Sequence, residues 1–335
     1  MTTEILTLRE IEDLAFRALV AAGTSEANAR PLAVATAQTE ADGVASHGLA
    51  YIPIYAEHVG CGKVDGRAVP DFDLARPGML VADAGTGFPH ASIDEGFQRL
   101  IPIARQHGIA ALAIRNSYNC GVLGLHTRRL AEAGLMGIGF TNAPASIAPS
   151  GGHKPVVGTN PISVAAPDGN GGVAILIDQS ASVIAKSEIM KHSREGREIP
   201  LGWGLDADGE PTRDPDAALA GSMAPAGGYK GVGLSLIVEM MAAAMTGATL
   251  GKDASPFSGT KGGPPRTGQF FIAIDPAASS GGDYAARINA LTEAIHDQPG
   301  ARLPGDGRGA ARARAQTQGV AVNAATLAKV RALLD

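Results

Sequence analysis

Six short apolar runs, each ending near residues that favour turns, constrain the fold of this chain more than any other feature. They are MLVADAG (79–85), AALAIRN (110–116), MGIGFTN (136–142), ISVAAP (162–167), VAILID (173–178) and QFFIAID (269–275). Runs of this length predict strands. Several of them lack the polar alternation of a half-exposed strand, which predicts burial on both faces. We therefore expect a largely buried sheet in the middle of the chain.

Both ends of the chain carry helical patterns. Thr7 and Glu10 have the spacing of a capping box, and apolar residues then recur at helical intervals until Gly23. Further helices are predicted over 25–42, with a kink at Pro31, and over 92–107, 123–133, 182–196, 234–245 and 323–335. The expected fold class is mixed α/β, with helices at both chain ends and strands between them.

The composition argues against several classes of protein. The 335 residues carry a formal net charge of −5, which does not favour a nucleic acid or an anionic membrane as partner. No run reaches the ~18 apolar residues of a membrane span, and the N-terminal segment lacks the pattern of a secretory signal. Cys61 and Cys120 are isolated and have no metal-ligand spacing. We expect a cytoplasmic protein without a metal and without a nucleic-acid or membrane partner.

The glycine-rich stretch PAGGYKGVGLS (225–235) is the clearest candidate for anion binding. The G-x-G-x-x-G fingerprint that follows a strand in Rossmann folds does not occur in the sequence. Glycines such as Gly228 and Gly231 would let a phosphate approach the backbone, and Lys230 could pair with it. The same glycines could instead allow a helix to pack closely on a sheet, and the spacing alone leaves both interpretations open.

Three polar residues adjoin predicted strands. Asn142 and Asn160 could hold a ligand, or they could stabilise the turns before Pro144 and Pro161. Asp178 could orient a catalytic group, or it could cap the helix predicted from Ser182.

His47 lies in a Ser-His-Gly turn directly after a predicted helix. Because imidazole titrates near neutral pH, His47 could exchange a proton with a carbonyl oxygen or an imine nitrogen. A lone histidine is more often structural, so the residue by itself does not assign a role. Four others, His58, His107, His126 and His296, fit exposed positions on helices.

Eight motifs occur in the order in which they appear in one enzyme family. They are ADGVASHG, RNSYNCGVLG, TNAPASIAPSGG, GTNPISVAAP, IDQS, IPLGW with the following DADGEPTRDPDAALAG, GGYKGVGLSL and GQFFIAID. Over roughly residues 5–330 the chain resembles the malate/L-lactate dehydrogenase-like oxidoreductases. That family includes malate, sulfolactate and ureidoglycolate dehydrogenases and the reductases of Δ1-piperideine-2-carboxylate and Δ1-pyrroline-2-carboxylate.

The resemblance implies a fold other than the Rossmann fold, in a homodimer with the site near the subunit interface. A nicotinamide-binding sheet domain would span 76–284, and a helical domain would combine 1–75 with 285–335. By motif position, His47 would exchange the proton, with Ser46 beside it. The nicotinamide would lie near Asp178, Asn142, Asn160 and Pro161, and the cofactor phosphates near Gly228, Lys230 and Gly231. Hydride transfer would belong to the cofactor.

Two departures from the family pattern bear on the substrate. Many members have S-H-G-x-x-R, where this chain has Tyr51, and many have N-S-x-H-F-G, where it has Asn119 and Cys120. A tyrosine hydroxyl poorly replaces an arginine–carboxylate fork, which makes a dicarboxylic acid such as malate less suitable. A cyclic imine acid, activated as an iminium, needs less polarisation by cations and would be repelled by them.

The chain is accordingly expected to reduce Δ1-pyrroline-2-carboxylate, and also Δ1-piperideine-2-carboxylate, to L-proline and L-pipecolate. Tyr51, Asn119 and Asn142 would contact the substrate. The alternatives are a 2-hydroxy acid dehydrogenase of the malate, lactate or ureidoglycolate type, and a non-catalytic binding protein.

The cofactor would be NADPH or NADH, and the resemblance to imine reductases favours NADPH. His192 and Arg308 are candidates for a 2′-phosphate contact, although both could be surface charges.

Overall fold

The computed structural model describes residues 2–335, which form a mixed α/β fold around a central mixed sheet. The helices are α1 (Leu8–Ala21), α2 (Glu26–Ala41), α3 (Ile52–Gly60), α4 (Pro89–His107), α5 (Leu123–Glu132), α6 (Lys186–Arg194), α7 (Pro215–Ala220), α8 (Tyr229–Glu239), α9 (Tyr284–His296), α10 (Asp306–Gln318) and α11 (Ala324–Arg331). The strands are β1 (Thr3–Leu6), β2 (Asp71–Arg76), β3 (Met79–Asp83), β4 (Ile109–Ser117), β5 (Met136–Thr141), β6 (Ile162–Pro167), β7 (Val173–Gln179), β8 (Gly204–Leu205), β9 (Pro211–Thr212), β10 (Ser222–Met223), β11 (Thr267–Ile274) and β12 (Val320–Asn323).

The six strands predicted from apolar runs are confirmed as β3, β4, β5, β6, β7 and β11. The capping box is also confirmed. The Glu10 amide donates to the Thr7 hydroxyl, and the Thr7 amide donates to the Glu10 carboxylate at 2.7 Å. The expected helix start at Ser182 is wrong, because α6 begins at Lys186 and its N-cap is Ala185.

Within residues 2–335, the main sheet has seven strands in the order β2-β3-β4-β11-β5-β6-β7. Only β3 and β4 run parallel among these neighbours. One face packs on α4 and α5 through residues such as Phe97, Leu130 and Phe271. The other face packs against α8 and the π-helical turn Met240–Ala244 that extends it. Strands covered on both faces explain the continuous apolar runs in the sequence.

The two ends of the chain pack together. Strand β1 pairs antiparallel with β12, and Glu4 forms an ion pair with Arg331. Leu14 and Leu19 of α1 share a buried cluster with Leu327 and Val330 of α11.

A buried ion network joins this helical layer to the sheet. The Asp42 carboxylate, at the end of α2, accepts from Arg128 of α5 at 3.1 and 3.2 Å. It also accepts from Nε of Arg312 in α10 at 2.8 Å. Because Asp42 lies directly before the Ser-His-Gly turn, the network fixes where that turn begins.

None of the helices in the described chain is long and apolar enough to cross a membrane.

Candidate active site

The Ser-His-Gly turn is two short 3-10 turns, Ala45–His47 and Leu49–Tyr51, between α2 and α3. Glu40 of α2 supports it, because its buried carboxylate accepts the Leu49 amide at 2.7 Å. Burial raises the pKa of Glu40, and this hydrogen bond acts in the opposite direction. A Cβ on Gly48 would lie 2.1 Å from the same carboxylate oxygen, so a side chain at this position would push Glu40 away from the Leu49 amide.

The His47 ring is held between two neighbours. The Ser46 hydroxyl lies 3.0 Å from Nδ1, and the Tyr51 ring stacks in parallel, with centroids 5.7 Å apart and planes at 8°. Burial lowers the pKa of His47, while Asp178 raises it and Arg308 lowers it. The Asp178 carboxylate and the Arg308 guanidinium therefore both lie close enough to His47 to shift its pKa.

Asp178 and Arg308 form an ion pair with 2.6 Å between Arg308 Nη1 and Asp178 Oδ2. Asp178 is the penultimate residue of β7, and Arg308 lies in the first turn of α10. Asp178 is therefore not a helix N-cap, and the alternative of an N-cap for the 182 segment is wrong. A Cβ on Gly124 of α5 would lie within 2.9 Å of both charged groups, so α5 packs directly on the pair.

Tyr51 is joined to the loop before α5. Burial raises the pKa of Tyr51, and the nearby Asn119 side chain acts in the opposite direction. The Asn119 side-chain oxygen accepts the Gly121 amide at 2.6 Å. Cys120 is buried, and burial, reinforced by the charge of Asp178, raises its pKa to about 12. The loop therefore places neutral groups between the His47 turn and the ion pair.

Asn142 and Asn160 use their side chains inside the protein. The Asn142 amide donates to the Thr249 carbonyl, and its oxygen accepts from Gly268. Asn160 donates to the Ser235 carbonyl and to the Glu239 carboxylate and accepts from Ala143. These bonds favour the structural alternative for both residues, since a ligand would have to displace a protein partner.

The glycine-rich stretch meets the end of β7. A cavity of about 440 Å³ is lined by Gln179 and Ser180 on one side and by Lys230 and Gly231 on the other. Helix α8 begins at Tyr229 after Gly228, whose φ of 64° is in the left-handed region. A Cβ on Gly231 would lie 2.4 Å from the Ala226 carbonyl oxygen. A helix start with an adjacent lysine fits a phosphate group, whereas the close approach of Gly231 to the protein backbone also fits the packing alternative.

Pro161 lies between Asn160 and β6, and its carbonyl accepts the Thr141 amide at 3.4 Å. His192 of α6 donates from Nδ1 to the Glu198 carbonyl at 2.7 Å, and its ring packs on Trp203. Arg308 lies in the ion pair with Asp178 and is not simply a surface charge.

Several features were not evident in the sequence. The expected exposure of His58 and His126 is wrong, because both side chains are buried. His58 bonds to the Tyr118 hydroxyl and the Gly259 carbonyl, and His126 to the Cys120 carbonyl. The support by Glu40 and the pairing of Arg308 also depend on contacts between distant segments that carry no local pattern.

The chain is similar to known oxidoreductases along nearly its whole length. The sequence profile of the malate/L-lactate dehydrogenase family matches residues 6–331. A (2R)-3-sulfolactate dehydrogenase (NADP(+)) of Chromohalobacter salexigens is 43% identical over 92% of each chain. A Δ1-pyrroline-2-carboxylate reductase of Ancylobacter novellus is 39% identical over 98% of this chain and 97% of its own. The crystal structure of Δ1-piperideine-2-carboxylate reductase from Pseudomonas syringae pv. tomato superposes with a TM-score of 0.93 and 36% identity, covering 99% of this chain and all of that one.

Proposed function

The chain belongs to the malate/L-lactate dehydrogenase family of oxidoreductases, and from that premise we propose that it reduces cyclic imine acids with NADPH or NADH. The substrates would be Δ1-pyrroline-2-carboxylate and Δ1-piperideine-2-carboxylate, and the products L-proline and L-pipecolate. The observation that carries the proposal is the environment of His47. Its charged neighbours Asp178 and Arg308 form a pair with no net charge, and Tyr51 and Asn119 are neutral. Such surroundings tolerate an iminium, which an isolated cation would repel.

His47 is the proposed proton donor. A neutral imine nitrogen must gain one proton, which makes the iminium, and the iminium carbon then gains one hydride to give the amine. A bound dihydronicotinamide supplies the hydride. Imidazolium at His47 donates the proton to nitrogen, and Asp178 stabilises the charged ring before transfer. Ser46, 3.0 Å from Nδ1, helps to orient the ring.

We place the cofactor along the end of β7. Its phosphates would bind Gly228, Lys230 and Gly231 at the start of α8, and its nicotinamide end would lie near Asp178, Asn160 and Pro161. The proposal favours NADPH, because the imine reductases resemble this chain and one related dehydrogenase uses NADP(+). His192 could contact a 2′-phosphate only after giving up its present hydrogen bond or through its second ring nitrogen.

We also propose a domain organisation, an oligomeric state and a cellular location. Residues 1–75 and 285–335 would form a helical domain, and 76–284 a sheet domain with a fold other than the Rossmann fold. The protein would act in the cytoplasm as a homodimer. The antiparallel pairs of the sheet and the shared cluster of both chain ends support this division.

A second candidate is a 2-hydroxy acid dehydrogenase, and the 43% identity to a sulfolactate dehydrogenase favours it. Sulfolactate carries a sulfonate and a carboxylate. Two anionic groups would be bound best by two cations near His47. The cation that acts on His47 is Arg308, and the Asp178 carboxylate accompanies it. The charge of the site therefore suits the imine acid better.

Purified protein tests the two candidates directly. It is mixed with NADPH or NADH and offered Δ1-pyrroline-2-carboxylate, pyruvate, oxaloacetate or 3-sulfopyruvate, while the absorbance of the reduced nicotinamide is followed. We expect oxidation with the cyclic imine acid. Turnover with a 2-oxo acid alone would refute the proposal, and cofactor binding without any turnover would favour a binding protein.

Replacement of His47 by alanine tests its role as proton donor. His47→Ala should lose roughly 10²-fold or more in kcat while keeping cofactor affinity. His107→Ala, at the exposed end of α4, is the matched control and should keep the parent rate. An unchanged rate in His47→Ala would remove His47 from the mechanism.

A further inference from the structure

We infer that Arg308 binds the carboxylate of the substrate and thereby selects acids over uncharged imines. The inference rests on the proposed reductase function, which it extends by assigning the group that recognises the acid. It also concerns a residue that the motifs around His47 do not contain.

Arg308 is available for a second anion. Its Nη1 donates to Asp178 at 2.6 Å, and its side chain remains 26% exposed. In the chain from residue 2 to 335, no protein acceptor is assigned to its Nη2 or Nε. A guanidinium has five donors in a planar fork, so one carboxylate does not saturate it. Asp178 thus fixes the side chain while part of the fork faces outward.

A series of neighbouring contacts connects Arg308 with the other candidate residues. His47 stacks on Tyr51, the Asn119 side chain lies near the Tyr51 hydroxyl, and the Asn119 loop leads into α5. Gly124 of α5 then contacts Asp178 and Arg308, which in turn both act on His47. Arg308 is therefore connected with the His47 turn through α5, and it is the cation whose charge acts on His47.

The ion pair matches the charges of the substrate. Once His47 has protonated it, a cyclic imine acid has a positive nitrogen and a negative carboxylate attached to the same carbon. The Asp178 carboxylate and the Arg308 guanidinium lie 2.6 Å apart. The carboxylate can face the positive nitrogen while the guanidinium faces the negative carboxylate of the substrate. Binding of the carboxylate by Arg308 would direct the nitrogen toward Asp178 and His47, where the proton is needed. The same arrangement explains how the site can have Tyr51, a neutral residue, in its Ser-His-Gly turn.

Arg308 could instead act only as an anchor for α10. Arg312, one turn further along α10, has that kind of contact, because it pairs with the buried Asp42. The two arginines have similar exposure, 26% and 27%, and each pairs with one carboxylate of the body of the protein. Arg312 therefore provides a control for anchoring, and the exposed Arg314 provides one for loss of charge on the same helix.

The experiment compares Arg308→Gln and Arg308→Lys with Arg312→Gln and Arg314→Gln. Cofactor-saturated protein is assayed for KM and kcat with Δ1-pyrroline-2-carboxylate. It is also titrated with pyrrole-2-carboxylate and with the uncharged pyrrole-2-carboxamide. We expect Arg308→Gln to raise KM about 10²-fold and to lose the preference for carboxylate over carboxamide. Arg308→Lys keeps the charge but not the fork, and should raise KM about 10-fold.

The preference ratio is measured within one variant, so it stays informative if that variant is less stable. A preference retained in Arg308→Gln would overturn the inference, and so would an equal rise of KM in Arg312→Gln. If the parent protein reduces only a 2-oxo acid, the proposed function fails. The role of Arg308 is then tested separately, by comparing pyruvate with pyruvamide in the same variants.

Discussion

Replacement of Glu40 by alanine is expected to lower both stability and turnover, because this side chain supports the turn that carries His47. Its carboxylate accepts the Leu49 amide at 2.7 Å, and both residues are buried. A buried amide without a partner costs about 1–3 kcal/mol. With 335 residues and an unfolding entropy of about 2.1 cal/mol/K per residue, a loss of about 2 kcal/mol lowers Tm by about 3 °C.

The effect on catalysis should be larger than the effect on stability. Without Glu40, the turn can move relative to the Asp178–Arg308 pair, and a shift of about 1 Å typically costs up to about 10²-fold in rate. We therefore expect Glu40→Ala to lose between about 10-fold and 10²-fold in kcat, with cofactor affinity unchanged. The measurements are thermal unfolding by circular dichroism and steady-state kinetics with saturating cofactor.

Glutamine at position 40 separates geometry from charge. Glu40→Gln keeps an oxygen acceptor for Leu49 and removes a carboxyl whose pKa is raised by burial above its ordinary value of 4.5. A raised carboxyl pKa costs stability as pH rises from 4.5 through the folded value, so the parent protein carries this cost at pH 7 and not at pH 4. Glu40→Gln should then be at least as stable as the parent at pH 7 and lose that advantage at pH 4.

One control variant makes the result decisive. Glu26→Ala changes an exposed glutamate in the first turn of the same helix and should leave kcat unchanged. The reasoning is refuted if Glu40→Ala keeps the parent kcat, or if Glu40→Gln loses as much rate as Glu40→Ala.

Three further predictions follow from the site and its surroundings. Because burial lowers the pKa of His47 and the protonated ring is the donor, kcat/KM for reduction should fall as pH rises, with a midpoint below 6.5; a midpoint above 6.5 in the pH–rate profile would contradict it. Gly231→Ala should weaken NADPH binding at least tenfold, since its Cβ would lie 2.4 Å from a carbonyl oxygen. Gly233→Ala, with open space around it, should keep the affinity and gain up to about 1 kcal/mol in unfolding free energy. Equal dissociation constants for the two variants, measured by fluorescence titration, would exclude phosphate binding at the start of α8. A thiol reagent should modify one cysteine in the native protein, the exposed Cys61, and a second only in denaturant, because Cys120 is buried and its pKa is about 12; two rapidly reacting native thiols would disprove this.

Local signals predicted most of the secondary structure. The Thr7 capping box and the continuous apolar runs depend on neighbouring residues alone, and both are confirmed. The start of α6 was missed because β7 continues to Gln179 and the segment after it forms turns. Strands β1 and β12 were missed for another reason. Each has four residues, and each depends on a partner from the opposite end of the chain.

The site could be predicted in part. The motif containing His47 and Tyr51 and the loop containing Asn119 lie together, although the sequence separates them by more than sixty positions. The ion pair of Arg308 with Asp178 was not predicted, since the pattern of α10 does not say which strand the helix meets. His126 was expected at a surface, but α5 packs on the sheet on one side and contacts α2 on the other. Tertiary packing, which propensity does not encode, decided both cases.

The pairing of β1 with β12 has a consequence for the synthesis of the protein. Thr3 leaves the ribosome long before Asn323, its partner in the ladder. At a translation rate of about 5–20 residues per second, β12 is synthesised on the order of 15–60 s after β1. Arg312 and Arg308 arrive within the same final stretch, and they complete the contacts of Asp42 and Asp178. A nascent chain therefore carries the His47 turn for most of its synthesis, and the charged groups around that turn assemble only at the end.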